Sequence, residues 1–240
     1  MERFDTLTPQ ARARITGVIY LVYFVAAILG EVFLEQAGVS GLSPTGSNAA
    51  TLATNLQSHE GVYQLGVAIG LISSVLYVAV TTLFYLLFRP VSPTLALLAL
   101  AFGLVAMAIT AVGSIFELAP LSVLATGAGA LNEQQVQLLA LTWLKVGEQV
   151  SPVGLVFSGF FQIVTGYLII RSRFLPWIFG VLIALAGLGW LTFLAPPLSS
   201  ALLTYLEVLG VLGEAPLLLW LLVMGVNSQR WMEKAAAASR

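Results

Sequence analysis

Apolar residues run along this chain in long stretches, without the short-period alternation of a half-buried strand. Six of them, at about 15–34, 62–88, 94–119, 153–170, 174–194 and 199–226, are long enough to cross a bilayer as helices of about 20 residues. Short breaks separate most of them: Arg89-Pro90-Val91-Ser92-Pro93, Arg171-Ser172-Arg173 and Pro196-Pro197. Each reads as a turn that stops one helix and starts the next, since proline and its predecessor disfavour continued helix. Thr8 followed by Pro9 is a good N-cap and first-position pair, so the first helix is expected to begin before the membrane. The pattern predicts an all-α fold, a polytopic integral membrane bundle of six transmembrane helices, forming one domain over 1–240.

Two breaks are longer. Ser43 to Glu60 holds Asn48 as a candidate N-cap, then Ala49, Leu52, Ala53 and Leu56 at helical spacing. Asn132 to Val146 has Val136, Leu139, Ala140 and Trp143 on one face. Both predict short surface helices in the 1–2 and 3–4 loops, acting as lids or packing elements.

Composition agrees with a bilayer as the solvent. The 240 residues are 59% hydrophobic and only 9% charged, with a mean hydropathy of +0.97. An average soluble domain is about 25% charged. The absence of cysteine excludes disulfides, thiolate metal sites and iron–sulfur clusters. His59 is the single histidine, which argues against a His-rich metal centre, and no cofactor is expected. No basic run tracks a phosphate backbone, so nucleic acid has no footprint.

Charge position gives direction. Arg3, Arg12, Arg14, Arg89, Arg171, Arg173, Arg230, Lys234 and Arg240 fall on one side of the six spans, and of the ten cations only Lys145 falls on the other. Cytoplasmic loops carry the excess of Lys and Arg, which places both termini inside. The expected outcome of cysteine scanning is that Ser47→Cys and Asn132→Cys react with an impermeant reagent from outside while Ser239→Cys does not. The reverse pattern would invert the topology. The first apolar run exceeds the roughly 7 to 15 residues of a signal peptide, so it reads as an uncleaved helix.

The stretches ARITGVIYLVYFVAAILGEVF, RSRFLPWIFGVLIALAGLGWL and GEAPLLLWLLVMGVN resemble, in order and spacing, a bacterial family known as domain of unknown function 4386. The resemblance covers nearly the whole chain. It implies a six-span multi-pass protein of the bacterial inner membrane with no assigned reaction. One departure stands out: LALAFGLVAMAI carries Gly103 and Ala106 where the resemblance leads one to expect an Arg and a Glu.

Polar residues inside the spans fall in stripes. The second span has Gly66, Gly70, Ser74, Tyr77, Thr81 and Tyr85, the third Gly103, Met107, Thr110, Ser114 and Glu117, and the fourth Gly154, Ser158, Gln162 and Gly166. Small residues let membrane helices approach closely, and hydroxyls and amides bridge them. The acids are less ordinary. Glu207 and Glu214 lie seven residues apart in the sixth span, a spacing expected to put both on one helix-facing side. Glu31 and Glu117 close the outer ends of the first and third spans. An ionised carboxylate at mid-bilayer costs about 2.5 to 3.5 kcal/mol, and no span supplies a cation. Glu214 is therefore expected to be protonated. Pro216 leaves the Leu212 carbonyl without its helical donor, which a protonated Glu or a neighbouring hydroxyl could supply.

Two readings of Glu31, Glu117, Gln162, Glu207 and Glu214 stay open. They line an outward-facing polar cluster that only holds helices together in a non-catalytic protein whose partners are the lipid bilayer and a membrane protein. Alternatively they couple a small carrier to protons or a small cation through Glu207 and Glu214. An integral membrane enzyme is a third class, but Ser58-His59-Glu60 is a surface trio of adjacent residues, and no P-loop, G-x-S-x-G, H-E-x-x-H or dinucleotide fingerprint occurs.

Overall fold

A computed structural model describes residues 7–39, 46–127, 129 and 131–238, the side chains at 46 and 47 excepted. Arg3, Ser43, Ser239 and Arg240, which entered the loop and charge expectations, lie outside the described residues. The described chain is all-helical: α1 (Pro9–Gln36), α2 (Gly46–Ser58), α3 (Glu60–Phe88), α4 (Pro93–Thr126), α5 (Glu133–Gly147), α6 (Val150–Ser172), α7 (Trp177–Leu191), a 3₁₀ turn (Thr192–Leu194), α8 (Pro196–Val223) and α9 (Ser228–Ala238). Six helical segments are long and apolar enough to cross a membrane, and they fall where the apolar runs predict them. Large apolar side chains cover their outer faces, with Val75 70% and Ile115 65% exposed, a surface that only lipid solvates well.

Helix ends depart from the hydropathy boundaries for local reasons. α1 starts at Pro9 with Thr8 capping it, its Oγ1 accepting the Ala11 N–H at 3.2 Å. The third span does not stop near 119; α4 continues through Pro120 to Thr126, because a transmembrane helix tolerates an internal proline when neighbours satisfy the freed carbonyl. It ends where Gly127 takes the left-handed φ of 66°. The last span ends at Val223, three residues early, because Gly225 has φ 69° and its N–H closes on the Trp220 carbonyl at 2.9 Å. α7 starts at Trp177, later than position 174, with Pro176 in the capping position. α9, expected only as a tail, is a helix.

The chain packs as two compact units. The first holds the described residues up to Val22, Leu76–Met107 and those from Val153 onward. Here α6 and α7 touch through backbone: a Cβ at Gly166 would lie 2.5 Å from the Gly180 carbonyl oxygen, and one at Gly159 would lie 2.7 Å from that of Gly187. α8 continues the layer, with Gly213 against Ala186 and Gly210 under the Trp190 ring. A clasp of termini completes the unit. The Gln10 amide donates to the Met224 carbonyl at 2.6 Å and accepts the Val226 N–H at 3.1 Å. The Trp231 indole donates to the Leu87 carbonyl at 2.9 Å, and the Arg12 guanidinium lies 5.3 Å above its ring.

The second unit holds Tyr23–Val75 and Ala108–Pro152. α2 starts two residues before Asn48, so Asn48 is not its cap; Ala49, Leu52, Ala53 and Leu56 are buried as their spacing predicts. α5 opens with a reciprocal cap, Asn132 Oδ1 accepting the Gln135 N–H at 3.0 Å and Gln135 Oε1 the Asn132 N–H at 2.9 Å. Its buried face is Val136, Ala140, Leu141 and Leu144, rotated from the expected one, and leaves Trp143 37% exposed. α2 and α5 pack on each other around a core that also takes Ala37, Tyr63 and Val67. Each apolar stripe therefore buries the other, where a membrane-surface helix would turn its stripe to lipid.

Candidate functional site

The interior stripes organise the polar side chains. Each position of the three predicted stripes is buried or half-buried. Within the first unit this brings three helices to one carboxyl. Glu214 on α8 is 8% exposed. The Tyr20 hydroxyl of α1 donates to Glu214 Oε2 at 2.7 Å, and the Gln162 amide of α6 donates to Oε1 at 2.5 Å. Tyr20 and Gln162 are themselves 1% and 2% exposed. The surroundings are aromatic: the Tyr20 ring meets Phe84 edge-on at 5.7 Å and Tyr77 at 6.4 Å, and Phe161 packs on both of those. Among the described residues no guanidinium or ammonium is shown hydrogen-bonding the carboxyl. The bonds of Glu214 thus run between helices, and the Leu212 carbonyl is not among its partners.

One polar atom here is left over. Gln162 Oε1 is buried with no hydrogen-bond partner among the described residues. Unpaired buried acceptors are rare. Oxygen and nitrogen of an amide are interchangeable by a half-turn of the side chain. With the nitrogen toward Glu214, the amide donates to a carboxylate. With the oxygen toward it, the amide accepts from a protonated carboxyl. The group can therefore hold Glu214 in either state through one side-chain rotation.

Glu207 does not join it. It is exposed, although a seven-residue step nearly repeats its direction on the helix wheel. The reason is what stands opposite. The packed stripe of α8 is Leu206, Gly210, Gly213, Leu217 and Leu221, and Glu214 reaches α1 and α6 from the flank of that stripe, where the flank at Glu207 is open. Gln162 is the one other predicted residue that meets Glu214.

Glu31 and Glu117 lie in the second unit. Glu31 is exposed, Glu117 half-buried, and the two stand near enough for their charges to interact. The Tyr63 hydroxyl donates to the Glu117 backbone carbonyl at 2.7 Å, not to its carboxyl. Within the first unit, then, Gln162 and Glu214 meet and Glu207 stands apart, while Glu31 and Glu117 neighbour each other in the second. Tyr20 is the member sequence reasoning missed; its signal was a hydroxyl in the middle of an apolar span, which requires a partner.

Elsewhere the chemistry is sparse. Ser58, His59 and Glu60 are all exposed at the α2–α3 junction. At the family departure, a Cβ on Gly103 would lie 2.5 Å from Thr81 Cγ2 and Ala106 is fully buried, so an Arg and Glu have no room here. One cavity of about 430 Å³ is lined by Ile170, residues 173–177, Asn227 and Arg230; another of about 110 Å³ is lined by Leu56, Gln57, Glu60, Leu121, Leu124 and Ala125. Residues 15–225 match the family described as Domain of unknown function (DUF4386). No curated protein and no solved structure gives a match.

Proposed function

This chain belongs to the DUF4386 family, and from that premise we propose that it is a non-catalytic, multi-pass protein of the bacterial inner membrane that works by binding a membrane partner. In this reading Glu214 is the lock that sets α1, α6 and α8 against one another. The observation that carries it is the use of both carboxyl oxygens in bonds from other helices, Tyr20 and Gln162. A carboxyl that releases and rebinds a transported ion needs a path to water, whereas a lock is served by a buried carboxyl held from two other helices, and Glu214 is 8% exposed. The excess of cations on one side supports an orientation with both termini in the cytoplasm.

A carrier coupled to protons or a small cation is the second reading, favoured by the unpartnered Gln162 Oε1 beside Glu214. It rests on Glu214 alone, since Glu207 is exposed. Reconstituted vesicles separate the two. After an imposed pH or sodium step, the expected decay equals that of protein-free vesicles, and Glu214→Gln changes nothing. A flux that the protein adds and Glu214→Gln abolishes would overturn the lock and establish the carrier.

A further inference from the structure

The cavity at the junction of α6 and α7 has a composition unlike the rest of the fold. Its wall combines apolar side chains, Ile170, Phe174 and Trp177 among them, with Arg173, Arg230 and Asn227, and no acid lines it. The Arg230 guanidinium donates one bond, to the Arg173 carbonyl at 2.9 Å, which tethers the start of α9 to the α6–α7 turn. The backbone N–H of Asn227 does the same to the Phe174 carbonyl at 3.0 Å. The Arg173 guanidinium itself makes no hydrogen bond or ion pair with the described residues.

Arg173 is also the only described residue other than glycine with positive φ, at 61°. A left-handed conformation strains an L residue, and glycine avoids that strain. The turn keeps an arginine despite that strain, and Arg173 lines the cavity.

The position matters as much as the charge. α6 ends and α7 begins here, so the cavity sits where two membrane-crossing helices leave the apolar layer. Trp177, 64% exposed, is the residue type that settles at the headgroup level. Two arginines lining a half-apolar hollow at this depth match a phosphodiester with its glycerol backbone, and basic pockets between transmembrane helices hold such headgroups. We propose that this cavity is a binding site for the phosphodiester headgroup of an anionic phospholipid, with Arg173 and Arg230 on the phosphate and Ile170 and Trp177 along the glycerol and upper chains.

Native mass spectrometry of the full chain, delipidated and titrated with phosphatidylglycerol or phosphatidylcholine, tests this. The expected result is one phosphatidylglycerol retained in preference to phosphatidylcholine. Arg173→Gln should weaken it about fivefold and Arg173→Gln with Arg230→Gln about thirtyfold, while Arg89→Gln, on another turn, leaves it unchanged. Arg230→Gln removes the tether as well, so Arg173→Gln, which breaks no described bond, carries the test if the double variant does not fold. Equal retention of the two lipids, or wild-type retention by Arg173→Gln, would overturn the proposal. Stabilisation by inorganic phosphate as large as that by phosphatidylglycerol would also overturn it, by assigning the site to a soluble anion.

Discussion

Gly166→Val is expected to push α6 and α7 apart and to lower the melting temperature of the protein in mild detergent. A Cβ at this position lies 2.5 Å from the Gly180 carbonyl oxygen, 2.9 Å from the Ala184 Cβ and 3.0 Å from its nitrogen. Two of the three obstacles are backbone, so no rotamer change relieves them and the helices must separate. Separation also opens the Gly159 and Gly187 contact two turns away. Overpacking a tight interior costs about 1 to 3 kcal/mol, and losing a second contact pushes this to the upper end, roughly a 6 to 12 °C fall in Tm. Gly61 and Gly70 have nothing within 4 Å of the same Cβ. Gly61→Ala and Gly70→Ala should therefore melt at or slightly above the wild-type temperature. A Gly166→Val variant that melts with them would refute the close α6–α7 approach.

Glu214→Leu is expected to destabilise the protein by about 2 to 4 kcal/mol, because it removes the buried acceptor that the Tyr20 hydroxyl and the Gln162 amide share. Glu214→Gln should stay within about 1 kcal/mol of wild type: two facing amides can rotate into mutual hydrogen bonds, and Tyr20 keeps an acceptor. Tyr20→Phe removes one donor and should cost about 1 kcal/mol. The pair can be measured together. If Tyr20 and Glu214 act through their bond, Tyr20→Phe in the Glu214→Leu background costs less than it does alone, with a coupling of about 1 kcal/mol. Additive effects would show that the two side chains stabilise independently.

These two sites mark how far sequence reaches into this fold. The spans are legible because a chain in lipid must satisfy every backbone group within the segment, so apolar runs of this length leave helix as the remaining choice. Their ends are less so: α4 and α8 stop at left-handed glycines, Gly127 and Gly225, which hydropathy does not register. The buried face of α2 follows from its spacing alone, but its partner α5 does not, since periodicity gives a direction and no neighbour. The same gap explains Glu207. The helix wheel points it almost where Glu214 points, and only the presence of α1 and α6 beside one and not the other separates them. Tyr20 meets Glu214 across 194 residues of chain, and nothing local announces such a pair.

The clasp at Gln10 has a consequence for how the protein is made. The Gln10 amide donates to the Met224 carbonyl and accepts from the Val226 N–H, partners 214 and 216 residues later. At about 5 to 20 residues per second of translation, Gln10 waits roughly 10 to 40 s after its own synthesis before those partners exist. During that interval α1 is already in the bilayer with its first turn unanchored. A ribosome that stalls before Val226 therefore holds a chain whose spans can insert while this clasp cannot form.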